Sequence, residues 1–295
     1  MKPTTAQAWI LAARPQTLTI SVAPVLLGAA LASEVGTLSI PVLVAAMIGA
    51  ICIQIGTNLY NDYADFNKGA DGTDRLGPPR ACANGWLPPR QVFAAVGITF
   101  AVAMAAGAYL VAVAGWPILI IGVASLACGI AYTGGPWPLA YVGIADLFVF
   151  VFFGLVAVGG TYFVLAGSLS IAAVLGGAIL GCLATAVLAV NNLRDRAGDG
   201  NAGKRTLAVR YGEAFARGQY AFLISCSALL VVLVALFVPG AGIGWLAPLA
   251  LAPWLVQLVR DAFRLDGHEL NGLLKKTAIA ELAFSILLSA GIVLT

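Results

Sequence analysis

The sequence predicts an all-α, polytopic membrane protein, and two observations carry this prediction. First, 61% of its 295 residues are hydrophobic and only 10% are charged, with a mean hydropathy of +0.96. A soluble protein of this size needs far more charge on its surface. Second, several apolar runs reach the roughly 20 residues that a helix needs to cross a bilayer. We expect nine transmembrane helices in a bundle around a central cavity, formed by a single domain over residues 1–295.

The nine predicted helices follow the apolar runs, and polar or turn-forming residues separate them. In chain order the runs are about 18–32, 40–59, 92–113, 118–131, 142–165, 171–190, 220–238, 245–259 and 278–294. Two long polar segments, 62–89 and 191–217, follow the second and sixth runs and hold most of the charged residues. A short uncharged loop, 132–138, separates the fourth run from the fifth.

The distribution of charge indicates how the bundle is oriented. When the loops are assigned alternately to the two sides, all 16 Lys and Arg residues fall on one side or at its helix ends. Glu34 is the only charged residue on the other side. Because cytoplasmic loops carry the excess of Lys and Arg, the basic side is predicted to be cytoplasmic. We therefore expect a multi-pass protein of the bacterial cytoplasmic (inner) membrane, with its active site facing the cytoplasm.

Two polar motifs end long apolar runs. In each motif an asparagine precedes an aspartate by four residues, which on a helix puts both side chains on one face. A second aspartate extends each face by about one turn. The motifs are Asn58 and Asp62 with Asp65, and Asn191 and Asp195 with Asp199. Their oxygen atoms are hard ligands that suit Mg²⁺ when a substrate's phosphates complete its coordination.

Basic residues accompany both motifs, namely Lys68 and Arg80 after the first and Arg194 and Lys204 in the second. A solvated loop with balanced charge is the plain alternative. The aspartates, however, begin on helices that are apolar up to the last turn, where charge is costly and tends to mark function. Metal ions and cations together bind a diphosphate and stabilise it as a leaving group. The allylic carbocation left behind needs a dry, apolar pocket, which a membrane interior supplies.

Three further residues are candidates for the acceptor side of this site. Gln54 lies one turn before Asn58 on the same helix face, and Asp146 lies about one turn inside the fifth helix. Tyr132 begins the uncharged loop. Each interpretation has a structural alternative, because Asp146 also fits a hydrogen-bonded helix end and Tyr132 also fits a packing or interface aromatic.

These residues resemble the UbiA superfamily of intramembrane aromatic prenyltransferases, over nearly the whole chain. The sequence is most similar to the branch that prenylates 1,4-dihydroxy-2-naphthoate. The first motif of the superfamily is usually Asn-x-x-x-Asp-x-x-x-Asp, whereas here Phe66 stands at its third position and Asp65 lies one residue earlier. The stretches that carry the likeness are Gln54-x-x-x-Asn58-Leu59-x-Asn61-Asp62-Tyr63-x-Asp65, Gly77-Pro78-x-Arg80, Ala131-Tyr132-Thr133-Gly134-Gly135, Asn191-Asn192-Leu193-Arg194-Asp195-x-x-x-Asp199, Gly203-Lys204-x-Thr206 and Leu270-Asn271-x-Leu273-Leu274.

The resemblance implies an enzyme of menaquinone biosynthesis. It would transfer a polyprenyl group from polyprenyl diphosphate to 1,4-dihydroxy-2-naphthoate with loss of CO₂, giving demethylmenaquinone and diphosphate. Mg²⁺ is the implied cofactor. The residues implied to hold it are Asn58, Asp62, Asp65, Asp195 and Asp199. The four basic residues named above would bind diphosphate oxygens. The implied partners are these two substrates and the lipid bilayer, with no nucleic acid; oligomeric state is left open.

Two alternatives remain at this point. A prenyltransferase for a phenolic quinone precursor, haem or chlorophyll would share every metal-binding residue. A membrane transporter or lipid-binding protein belongs to a different class. Transporters favour sites near the bilayer midplane on broken helices, whereas these motifs lie at helix ends.

Overall fold

The computed structural model of the chain describes residues 3–69, 76–135 and 138–295. Within these ranges the chain is helical and has no β-strand, as predicted. The α-helices are α1 (Thr5–Ala13), α2 (Pro15–Glu34), α3 (Ile40–Asn67), α4 (Pro89–Ala114), α5 (Trp116–Ala131), α6 (Leu139–Val142), α7 (Ala145–Val149), α8 (Ala157–Ala166), α9 (Ile171–Asn201), α10 (Leu207–Phe237), α11 (Ala252–Arg264) and α12 (Leu270–Leu294). A π-helical segment, Phe150–Val156, joins α7 to α8, and 3₁₀ segments, Ile243–Leu251 and Gly267–Glu269, precede α11 and α12.

Most of these helices are long and apolar enough to cross a membrane. Among the described residues, eight segments meet both conditions: Pro15–Glu34, Ile40–Asn67, Pro89–Ala114, Ala145–Ala166, Ile171–Asn201, Leu207–Phe237, Ile243–Arg264 and Gly267–Leu294. The remaining predicted crossing corresponds to α5, which is apolar but has 16 residues. The multi-pass membrane architecture is therefore confirmed, while the count of nine crossings stays a prediction.

The largest apolar core lies where α2, α8, α9, α10 and α12 pack together. Its fully buried side chains include Leu27, Leu183, Tyr220 and Phe284. A second cluster joins α1 to α3 and α4 and includes Ala8, Leu59 and Val92. The two clusters hold α3 and α9, the helices that carry the two polar motifs, on either side of a large cavity.

Both motif helices continue further than their apolar runs. The predicted runs end near Leu59 and Val190, whereas α3 reaches Asn67 and α9 reaches Asn201. The polar motifs are therefore helical, because the backbone hydrogen bonds of a helix do not depend on the polarity of its side chains. In the second motif Asn191, Asp195 and Asp199 all line the cavity, as the four-residue spacing predicts.

The fifth predicted helix is interrupted by its π-helical segment, which lies against a glycine-rich part of α9. A Cβ atom added at Gly154 would lie 2.4 Å from the carbonyl oxygen of Gly177 and 2.6 Å from Cα of Gly181. The two backbones are thus in direct contact. Such π segments often occur at functional sites, and here Phe152 and Val156 line the cavity.

The corner between α1 and α2 is formed by Arg14. Its φ of 54° and ψ of 68° lie in the left-handed region, and no other non-glycine residue in the described chain has a positive φ. Nδ2 of Asn58 donates to the carbonyl oxygen of Ala13 at 3.0 Å and to Oγ1 of Thr17 at 3.1 Å. The corner is therefore fastened to the helix that carries the first motif.

Candidate active site

A cavity of about 1380 Å³ lies between α3 and α9 and extends among α2, α4, α5 and α8. Its polar lining is concentrated on the last turns of α3 and α9 and on the loops that follow them. The rest of the wall is mostly apolar and includes Val111, Ile118, Phe152 and Val164. The site therefore combines a charged end with an apolar interior.

One face of α3 supplies the first part of the polar lining. Gln54, Asn58, Asn61 and Asp65 all line the cavity and are buried. At about 100° per residue, these four side chains fall within roughly 60° of one another around the helix axis. Asp62 points about 60° further round from Asp65, and this rotation separates it from the cavity.

Asp62 contacts the segment that follows the first motif instead. Oδ2 accepts a hydrogen bond from the backbone N–H of Ala81 at 2.9 Å, and Oδ1 accepts one from Cys82 at 3.2 Å. Asp62 is 2% exposed, and among the described residues it borders a separate small void rather than the main cavity. Asp62 thus lies outside the lining of the main cavity, and its predicted role as a metal ligand stays a prediction.

Asp65 forms a buried ion pair with Arg80. Nη2 of Arg80 lies 2.9 Å from Oδ2 of Asp65, and the two side chains are 8% and 2% exposed. Oδ1 of Asp65 is buried and accepts no hydrogen bond within the part of the chain that the structure describes. The carboxylate thus keeps one oxygen available at the cavity wall.

The second motif is organised by the guanidinium of Arg194. Nε and Nη2 bind both oxygens of Asp195 at 2.8 and 2.5 Å, and Nη2 also donates to Oδ1 of Asn191 at 2.8 Å. Nη1 donates to Oδ1 of Asn271 at 2.8 Å. Arg194 is 4% exposed, so it is embedded in these contacts, while Asp195 and Asn191 line the cavity beside it.

Lys204 connects the two motifs electrostatically. Its Nζ lies 3.3 Å from Oδ1 of Asp199, and both residues line the cavity. Burial alone would lower the pKa of Lys204, but the carboxylates of Asp65 and Asp199 outweigh burial and raise it above its ordinary value. An aspartate from each motif therefore acts on the same ammonium group. Because all three residues line one cavity, the ends of α3 and α9 meet at one site.

An aromatic ring lies beneath the two lysines. Nζ of Lys68 is 4.9 Å from the ring centroid of Tyr141, and Nζ of Lys204 is 5.5 Å from it. Lys68 also donates to the carbonyl oxygen of Thr133 at 2.5 Å. Because cations are attracted to the face of an aromatic ring at these distances, Tyr141 brings a lysine from each motif segment to the loop after α5.

The residues predicted for the acceptor side are not all in the cavity. Gln54 and Tyr132 line it, and Nε2 of Gln54 donates to Oγ1 of Thr17 at 3.4 Å. Burial, with the nearby carboxylates of Asp146 and Asp199, raises the pKa of Tyr132 well above its ordinary value. Its phenol thus remains a hydrogen-bond donor at neutral pH.

Asp146 is placed differently from the prediction that it faces the cavity. It is 7% exposed, and its Oδ1 accepts a hydrogen bond from Nε2 of Gln219 at 2.7 Å. Within the described chain it is not part of the cavity lining. The hydrogen bond fits the structural alternative of a helix-end residue, while the predicted acceptor-side role of Asp146 stays a prediction.

Several cavity residues were not predicted from the sequence, among them Asn61, Arg14 and Tyr141. Asn61 had a readable signal, because it precedes Asp65 by four residues as Asn58 precedes Asp62. No such signal in the sequence marks Arg14 and Tyr141. Their place in the cavity wall depends on the corner after α1 and on the path of the chain after α5. Both line the cavity.

The donor set fits a metal ion that is shared with a substrate. Within the described residues no three His, Cys, Asp or Glu side chains converge closely enough to hold a metal by themselves. The oxygens of Asp65, Asn61, Asp199 and Asp195 nevertheless line one cavity, and Oδ1 of Asp65 is buried without a hydrogen bond. Mg²⁺ commonly binds through one or two carboxylates together with substrate phosphates, and these residues match that pattern.

A profile of the UbiA prenyltransferase family matches residues 21–282. The chain is 38% identical to a 1,4-dihydroxy-2-naphthoate octaprenyltransferase of Escherichia coli K12, covering 98% of this chain and 96% of that protein. It is 35% identical to the Mycobacterium tuberculosis protein of the same name, covering 94% of each.

Among solved structures, a UbiA homolog from Archaeoglobus fulgidus bound to GPP and Mg²⁺ has the same fold. The TM-score is 0.69 at 16% sequence identity, and the match covers 97% of this chain and 99% of that one.

Proposed function

Because the chain belongs to the UbiA prenyltransferase family, we propose that it transfers a polyprenyl group from a polyprenyl diphosphate to 1,4-dihydroxy-2-naphthoate. In this reaction the C–O bond to the diphosphate breaks, a C–C bond to the ring forms, and the ring carboxylate leaves as CO₂. The ring keeps both hydroxyls, so the direct product is the hydroquinone form of demethylmenaquinone. The reaction belongs to menaquinone biosynthesis.

The observation that carries the proposal is the meeting of the two motifs. Asp65 from α3 and Asp199 from α9 line one cavity, and both act on Lys204. Carboxylates beside cations, at the end of an apolar cavity, fit a substrate with a charged diphosphate head and a long hydrocarbon tail.

In the proposed site Asn61, Asp65, Asp195 and Asp199 would hold Mg²⁺, with Asn58 beside them on the same face of α3. Bound Mg²⁺ would supply positive charge that attracts the diphosphate and stabilises it as it departs. Asp62 is left out of this ligand set because, unlike Asp195, it is not among the described residues that line the cavity.

Lys204 and Lys68 are the chain's own contacts to the diphosphate in this proposal. Lys204 remains charged because Asp65 and Asp199 raise its pKa. Arg80 and Arg194 have a different part: each holds an aspartate of its motif, at 2.9 Å in the pair with Asp65 and at 2.5 Å in the pair with Asp195. These two arginines thus position carboxylates.

The apolar wall has two parts in the reaction. It holds the prenyl chain, and it excludes water from the allylic carbocation until the ring attacks. The dihydroxynaphthoate ring is electron-rich, so it needs little help from a base. Gln54 and the protonated phenol of Tyr132 lie where they would donate hydrogen bonds to the acceptor's oxygens.

The proposed location is the bacterial cytoplasmic membrane, with the site opening to the cytoplasm. The support is the confinement of Lys and Arg to one side of the predicted topology, as cytoplasmic loops require. Substituting Lys68 by cysteine and labelling it with an impermeant thiol reagent would test this. Labelling in inverted vesicles but not in intact cells supports the proposal, and the reverse pattern contradicts it.

The decisive experiment is mass spectrometry of the product made by purified protein. We expect prenylated, decarboxylated naphthoquinol from 1,4-dihydroxy-2-naphthoate with Mg²⁺, and none after chelation. Phenolic, haem and chlorophyll precursors serve as competing acceptors in parallel reactions. Turnover of one of these in preference to the naphthoate, or full turnover without a divalent ion, would overturn the proposal.

A further inference from the structure

Asn271 stands at the start of α12, on an element that supplies no aspartate to the site. Both polar atoms of its side-chain amide form hydrogen bonds. Oδ1 accepts a hydrogen bond from Nη1 of Arg194 at 2.8 Å, and Nδ2 donates to the carbonyl oxygen of Leu76 at 2.8 Å. Nδ2 also donates to the carbonyl oxygen of His268 at 3.0 Å, which ties the amide to the 3₁₀ segment before α12.

The first of these bonds orients the guanidinium of the second motif. Arg194 binds Asp195 through Nε and Nη2, and Nη1 is the nitrogen that Asn271 holds. A guanidinium is planar, so fixing Nη1 fixes the plane in which the two bonds to the carboxylate lie. The position of Asp195 at the cavity wall thus depends on a residue that does not line the cavity.

The second bond reaches the segment that follows the first motif. Leu76 leads directly into Gly77, and a Cβ atom added at Gly77 would lie 2.8 Å from Nη2 of Arg194. This segment therefore lies directly on the guanidinium. It continues to Arg80, whose Nη2 pairs with Asp65.

We infer that Asn271 is a positioning residue that couples the two halves of the site. It holds Arg194 with one end of its amide and the Leu76 segment with the other, so the supports of Asp195 and Asp65 are joined through one side chain. This inference rests on the proposed function, since it assigns Asn271 to the binding of the metal–diphosphate group and not to the acceptor.

Removing the amide should weaken that group's binding specifically. Asn271→Leu keeps the branching and the number of side-chain heavy atoms and removes the bonds to Arg194, Leu76 and His268, which leaves Nη1 of Arg194 without its partner on α12. Because hydrogen bonds to charged groups are stronger than neutral ones, we expect roughly tenfold weaker binding of Mg²⁺ with diphosphate. Asn271→Asp keeps the acceptor for Arg194 and loses the bond to Leu76, so its loss should be intermediate.

The experiment measures stabilisation of the purified full-length protein by inorganic pyrophosphate with Mg²⁺, as a thermal shift titrated to saturation. It needs neither turnover nor a particular acceptor. His268→Ala is the matched control, because it leaves both long-range bonds of Asn271 in place and removes only the contact of His268 Nδ1 with the Leu76 carbonyl at 3.1 Å. We expect wild-type affinity for this control, within about twofold, because neither bond of Asn271 is lost.

The outcomes distinguish failure of the proposed function from failure of the inference about Asn271. Wild-type protein that shows no Mg²⁺-dependent stabilisation would overturn the proposed function and this inference with it. Normal wild-type binding with unchanged affinity in Asn271→Leu would overturn the inference alone. If Asn271→Leu does not fold, Asn271→Asp decides, and wild-type affinity there counts against the inference. In turnover assays, KM for the prenyl diphosphate should rise while KM for the acceptor does not; an equal rise in both would indicate general damage and contradict a positioning role.

Discussion

Oδ2 of Asp62 accepts a hydrogen bond from the backbone N–H of Ala81 at 2.9 Å. With its second bond to Cys82, this carboxylate holds the segment that carries Arg80. Arg80 in turn pairs with Asp65. Two aspartates three residues apart on α3 therefore have different tasks: Asp65 faces the cavity, and Asp62 secures the loop that supports Asp65.

Replacing Asp62 should mainly lower the stability of the protein, whereas replacing Asp65 should mainly lower its activity. Asp62→Ala leaves two buried N–H groups without an acceptor, so we expect about 3 kcal/mol lower stability and a lower thermal midpoint in detergent. Asp65→Ala should lose prenyl transfer by at least roughly a hundredfold, because it removes a carboxylate from the metal–diphosphate group. Thermal melts and product formation, measured on both variants, check this.

The same pair of variants separates a ligand from a structural residue. For Asp62→Ala the Mg²⁺ concentration that gives half-maximal activity should rise by less than about tenfold and together with a fall in the thermal midpoint, because this carboxylate acts through the backbone of the segment that supports Asp65. A large rise in that concentration, with an unchanged thermal midpoint, would show that Asp62 binds the metal after all.

Lys204 is expected to act on the prenyl diphosphate and not on the acceptor. Lys204→Met keeps the length of the side chain and removes its charge. A charge-assisted contact of this kind corresponds to roughly thirtyfold in kcat/KM for the prenyl diphosphate. Lys276→Met is the control, since Lys276 is exposed and its ion pair with Asp261 is 3.4 Å long. Equal kinetics for the two variants would remove Lys204 from the site.

Tyr141 is expected to depend on its ring and not on its hydroxyl. Tyr141→Phe keeps the aromatic face beneath Lys68 and Lys204 and should retain wild-type KM for the prenyl diphosphate. Tyr141→Leu loses the cation–π attraction, so KM should rise by about threefold to tenfold. The comparison is made in steady-state kinetics at saturating acceptor. If Phe is as damaging as Leu, the phenol oxygen rather than the ring carries the effect.

Local pattern predicted the helices and the motif positions well, because both depend on neighbouring residues. Apolar runs marked the crossings, and the four-residue spacing placed Asn191 and Asp195 together at the cavity, whereas Asn58 lines the cavity without Asp62. Which side chains of α3 line the cavity could not be predicted from the spacing. It depends on Ala81 and Cys82 packing against Asp62, about 20 residues later, as the hydrogen bonds show.

Contacts between distant elements account for the other differences. Asp146 accepts a hydrogen bond from Gln219, which is 73 residues away in sequence. A charged residue within an apolar run does not indicate which distant residue will be its partner. Tyr141 meets Lys68 and Lys204 because α6 and the ends of the segments after α3 and α9 converge at one end of the bundle. No pattern within a single segment encodes such a meeting, so it emerges only from the folded chain.

The contact between the π-helical segment and α9 gives a test of the fold itself. A methyl group at Gly154 would lie 2.4 Å from the Gly177 carbonyl oxygen, and backbone atoms cannot move aside as a flexible side chain does. Gly154→Ala should therefore separate the two helices and cost about 2 kcal/mol or more. Gly160→Ala, in the same span, meets only Ile121 Cδ1 at 3.7 Å and should be tolerated. Equal thermal midpoints for the two variants would mean that α9 and the π-helical segment are not in direct backbone contact.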